Sequence, residues 1–150
     1  MTGKIEKLAG KEIAGVAIKL DKRMLAIWAA DCAEHVLCYF EKMRPKDKRP
    51  RNAIKSLRVW VRTGVFRMAD VRKSSLDAHA AAREAEEGSA ARFAARAAGQ
   101  AMATAHVITH AFGAAYYGVK AAEAAGVAGE CEWQYQHLLR IKKKLGKQKK

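Results

Sequence analysis

A chain of 150 residues is one domain by size, and with half its residues hydrophobic it can bury a sizeable core. Its 29 Lys and Arg against 15 Asp and Glu give a formal charge of +14, which attracts nucleic acid or acidic protein and equally serves solubility. Cys32, Cys38 and Cys131 are an odd count without regular spacing, which excludes a disulfide framework, and no apolar run reads as a signal peptide or membrane span. A cytoplasmic protein is the expectation.

Residues 1–20 read as a weak, peripheral helix, with Ile5, Leu8, Ile13, Val16 and Leu20 in a loose stripe interrupted by Gly10 and Gly15. Asp21 is a natural N-cap for a helix from Lys22 to Lys42. Leu25, Trp28, Ala29, Cys32, Val36, Tyr39 and Phe40 form its main stripe, and further apolar residues around it mark a central helix. Pro45 ends it. The charged connector 44–52 leads to a helix opened by Pro50 and closed near Thr63 by Gly64. Ala53, Ile54, Leu57, Trp60 and Val61 face inward, while Arg51, Lys55, Arg58 and Arg62 make a basic ridge.

A fourth helix is predicted from Ala69 to Glu87, ended by Gly88, with Ser89 capping the next. Residues 90–125 are rich in alanine and free of proline. One straight helix of that length would span ~50 Å, too long for this domain, so a break is expected near 105–109. After a turn at Gly126–Gly129, a last helix runs from Glu130 to about Leu145, with Trp133, Gln134, His137 and Leu138 docking its first turns. Trp133 is either the anchor of that helix or a contact for a partner. The predicted fold is all-α: a compact single-domain bundle of about five to seven helices around an alanine-rich central hairpin or kinked helix. Its parts are a peripheral segment 1–20, a helical domain 21–139 and a basic tail 140–150, whose end is expected to fray.

Polar residues at helical spacing form a candidate cluster: Asp31 with His35, His79 with Arg83, and His106 with His110. A buried hydrogen-bond network is the favoured reading. Metal binding by His35, His79, His106 and His110 is the weaker alternative, since Cys-x-x-Cys, HExxH and Glu-x-x-His are all lacking. Asp31 and His35 have the composition of a general base, but no strained elbow presents Ser74, Ser75 or Thr104 as a nucleophile. No catalytic residue and no cofactor is therefore assigned. The ridge and tail make nucleic acid an alternative partner, although no nucleic-acid module is recognisable. Nothing specifies an oligomeric state.

Three stretches, WAADCAEHVLCYFE (28–41), DKRPRNAIKSLRVWVRTG (47–64) and DAHAAAREA (77–85) continuing into AAGQAMATAHVITHAFGAAYYGVKA (97–121), resemble the immunity-five-like family of bacterial toxin–immunity systems. GECEWQYQHL (129–138) is similar to that family's closing segment, so the resemblance covers roughly 21–138. It implies an all-helical immunity-like domain that protects against a cognate toxin, with no catalytic residues to carry over. The polar positions of the family pattern match Asp31, His35, Arg51, His79, Arg83, His106 and His110. The chain departs from that pattern at Leu138-Leu139-Arg140, where a proline is expected, and in its lysine tail.

Overall fold

The computed structural model describes residues 2–17 and 19–146, with residues 2–9 and 146 described by their backbone alone. The expected stripe positions Ile5 and Leu8, by their side chains, and the lysines at 147, 149 and 150 thus lie outside the description. Seven helices follow one another among the described residues: α1 (Thr2–Ala17), α2 (Lys22–Met43), α3 (Arg49–Thr63), α4 (Met68–Glu84), α5 (Ala90–Ala103), α6 (His110–Ala124) and α7 (Glu130–Gly146). The all-α class and helix number agree with the sequence expectation. Among the described residues no helix is long and apolar enough to cross a membrane.

Local chemistry fixes the helix ends. Asp21 caps α2 by accepting the Met24 amide at 2.8 Å, and Ser89 caps α5 through the Arg92 amide. Gly64 ends α3 in the left-handed region at φ 71°, where a side chain would be strained. Gly126 does the same after α6, and the Val127 amide reaches back to the Ala122 carbonyl at 2.9 Å, closing a Schellman turn. One boundary differs from expectation. The helix predicted to reach Glu87 stops at Glu84, because Arg44 donates to the Glu84 carbonyl and Arg49 pairs with the Glu84 carboxylate. The last helix runs close to its predicted end: α7 continues through residues 140–146, with Ile141 buried.

The break in the alanine-rich spine falls where length demanded it, and the sequence supplies a local cause. Thr104, Val107, Ile108 and Thr109 are β-branched and poor helix formers. Successive short-range bonds, among them Thr104 to Ala101 and His110 to Val107, carry the chain round the corner. The Thr104 hydroxyl donates to the Gln100 carbonyl, which occupies an acceptor at the end of α5. α6 then returns beside α5: Gln100 packs on Gly113 and Phe93 stacks with Tyr117, an antiparallel pairing.

The core is the junction of α2, α5 and α6, with α3 and α4 on one side and α7 on another; α1 packs on α7. α2 supplies the bulk, with Trp28, Leu37 and Phe40 fully buried. α5 supplies closeness: Ala94, Ala95, Ala97, Ala98 and Ala101 are completely covered. Small side chains let the helix axes approach, and large ones from α2 and α7 fill the remainder. With Thr104 and Glu130 also buried, Gln134 is a polar member of this core. Its side chain donates to the Ala115 carbonyl of α6 at 2.8 Å, while its backbone carbonyl accepts the Trp28 indole N–H at 2.9 Å. Gln134→Ala removes the side-chain bond to Ala115 and opens a cavity, and a loss of about 2–3 kcal/mol is expected in urea unfolding.

Candidate functional site

Hydrogen bonds and ion pairs sort the candidate polar residues into two sets instead of one cluster. The first joins α2, α3 and α7. Glu130, Trp133 and His137 lie at i, i+3 and i+7, on one face of α7. The Trp133 indole stacks on His35 with ring centres 3.6 Å apart, and on His137 at 4.9 Å. Each imidazole is held by an acid from the other helix: His35 Nδ1–H donates to Glu130 Oε1 at 2.7 Å, and His137 Nε2–H donates to Asp31 Oδ2 at 2.7 Å. His137 Nδ1 accepts from Arg140, so that ring is the Nε2–H tautomer. Asp31 accepts a further bond from Arg58, which also pairs with Glu34. The expected Asp31–His35 couple is thus replaced. One helical turn put both residues on the same side of α2, but each turns to its own partner on α7.

The second set joins α4, α5 and α6. The His79 ring rests on Gly99, so that a methyl group added there would lie 2.6 Å from Nε2. Arg96 donates to His79 Nδ1 at 2.9 Å, which makes the imidazole an acceptor and therefore neutral. Burial first, then the charges of Arg96 and Arg83, push its pKa down to about 4. The Ser75 hydroxyl donates to the Gly99 carbonyl beside it. His110 Nδ1–H donates to the Gln100 side-chain oxygen at 2.7 Å. Arg83 is exposed and acts on His79 through its field. His106 is exposed at the bend, its ring 6.1 Å from that of Phe66.

This arrangement orients helices. Ser75 and Thr104 spend their hydroxyl protons on backbone carbonyls. Among the described residues, no three His, Cys, Asp or Glu side chains converge as metal ligands, and no buried side-chain nitrogen or oxygen lacks a partner. The basic ridge divides as well. Arg51 makes a two-point bond to Glu41, a bond that holds the Glu41 carboxyl below its usual range. Arg58 is spent on Asp31 and Glu34, and Lys55 and Arg62 stay exposed.

Sequence reasoning missed Glu130, Arg96 and Gln100 as partners, and Gly99 as a seat. The spacing of Glu130, Trp133 and His137 was a usable signal for a shared face. The glycines were another, since a glycine inside an alanine helix costs about 1 kcal/mol and needs a reason.

The family model described as "Imm-5 like putative immunity protein" matches residues 16–141. The chain belongs to that family. No curated protein and no solved structure matches it.

Two outcomes follow for the second set. His79 is neutral in the fold, with a pKa lowered to about 4, and titrates near 6.5 when unfolded. Between these values the unfolded chain binds the extra proton, so stability falls as pH drops from about 6.5 to 4 and is flat in this respect outside that window. With partial exposure screening the effect, His79→Gln is expected to flatten the pH–stability curve by on the order of 1 kcal/mol. Separately, Gly99→Ala forces a methyl group into the His79 ring. Overpacking of about 1–3 kcal/mol outweighs the gain in helix propensity, and adding His79→Ala is expected to recover part of the loss in the same denaturant titration.

Proposed function

We propose that the chain protects against a cognate toxin by binding it as a folded protein, without chemistry of its own. The observation that carries this reading is the internal use of its polar side chains. The groups with catalytic character, His35, His79, His110, His137, Asp31 and Glu130, are each hydrogen-bonded to another part of the bundle. Such groups brace helices and leave the outer surface to make contacts. Family membership supplies the immunity role, and an inhibitor that binds is its simplest form. A nucleic-acid partner gains less support, because Arg51 and Arg58 of the ridge are already neutralised by acids.

The test is a stoichiometric titration against the product of the gene neighbouring this chain's own, once that product has been assayed for toxicity. Binding predicts that toxin activity falls linearly to an end point at a fixed molar ratio, with a complex of that ratio on size exclusion. Inactivation by sub-stoichiometric amounts of the chain, or the lack of any protection, would sink the proposal.

A further inference from the structure

The corner between α3 and α4 exposes apolar residues that the core does not use. Gly64, held at φ 71°, turns the chain outward, and the Thr63 hydroxyl accepts the Val65 amide at 3.2 Å, which pins the turn. Val65 is 62% exposed, Phe66 41% and Met68 36%. Val59 of α3, Leu76 of α4 and Val107 of the 104–109 bend are exposed as well. Two hollows join Val59, Val65, Met68 and Leu76 among them. One, of about 290 Å³, runs between Val59, Val65 and Val71; the other, of about 210 Å³, runs between Val71, Met68, Leu76 and His106. Val71 lies in both, and the Phe66–His106 ring contact ties the loop to the bend, so the patch is continuous.

Its rim is positive. Arg62, Arg67 and Arg72 are exposed, and among the described residues no carboxylate pairs with any of them. Asp70 is the acid lining the first hollow, and Asp77 is paired with Lys73. Elsewhere on α3, Arg49, Arg51 and Arg58 all have carboxylate partners. An apolar centre ringed by unpaired arginines has the composition of a protein interface.

We infer that this corner is the docking surface for the partner, and that the partner presents an apolar protrusion flanked by Asp and Glu. This rests on the binding reading above and adds where contact occurs and what chemistry it needs. A second copy of the chain fits poorly, since a two-fold contact would set arginine rim against arginine rim.

Two measurements test it. In the first, Phe66→Ala, Arg67→Glu and the control Tyr116→Ala, on the α1–α6 side, are titrated against the same toxin, with circular dichroism confirming that each folds. Roughly tenfold or greater weakening at Phe66 and Arg67, with the control near wild type, is the expected result. Wild-type-like binding by both corner variants overturns the surface while leaving the binding reading standing. The second needs no toxin: a displayed random-peptide library is panned on the wild-type chain. Peptides with an aromatic or leucine flanked by acids, lost on Phe66→Ala and Arg67→Glu but kept on Tyr116→Ala, support the surface even if the toxin arm fails. A library without such peptides, or one whose binders survive both corner substitutions, overturns it.

Discussion

Three helix crossings depend on one device, a glycine that seats a polar side chain from a neighbouring segment. Gly99 receives the His79 ring, Gly113 receives the Gln100 amide, and Gly118 lies 3.0 Å, measured from an added methyl position, from the Gln134 amide nitrogen. Alanine surfaces alone specify register poorly, since one methyl resembles the next. A polar group that fits one seat, and whose hydrogen bonds are made only there, distinguishes the correct alignment from its neighbours. His79 takes Arg96 at that seat, Gln100 takes His110, and Gln134 takes the Ala115 carbonyl. Sliding a helix by one turn would break the contact and leave the polar group buried without a partner.

The outer network works by the same logic at lower burial. His35 and His137 clasp Trp133 from α2 and α7, and Glu130 and Asp31 hold the two imidazoles. Asp31 also takes Arg58, so α2, α3 and α7 are joined through one carboxylate. Ion pairs at this exposure contribute little energy singly, and their value lies in geometry. They fix the last helix, which otherwise has Leu138, Ile141 and Gln134 to hold it in the core. A bundle braced in this way keeps the connections between its helices in place.

Much of the fold was legible. The Asp21 and Ser89 caps, the Gly64 stop and the glycine turn after α6 are local signals, and each acts as read. Trp28 is fully buried, as its stripe implied, whereas Trp60 is half-buried beneath the ammonium group of Lys22. The end of α4 was misjudged because Arg44 and Arg49, from a different segment, decide it. The polar cluster was half legible for the same reason. Spacing placed Asp31 beside His35 and His106 near His110, but partners lie 95 and 106 residues away for His35 and Asp31. Only packing shows that His110 turns to Gln100 while His106 faces outward.

The distribution of charge completes this account. A net charge of +14 reads in sequence as one undifferentiated property, yet the fold divides it. Arg49, Arg51 and Arg58 bind acids and act as struts; Arg96 serves a neutral histidine; Arg62, Arg67 and Arg72 face solvent beside the exposed apolar corner. Of the positions on which the family resemblance rests, Asp31, His35, Arg51, His79 and His110 all belong to the struts and seats. Arg83 and His106 of the same pattern are exposed, and His106 meets Phe66 at the corner, so the pattern encodes most of the frame and touches the corner at one point. A framework held by internal polar locks leaves its exposed corner open to change without loss of fold.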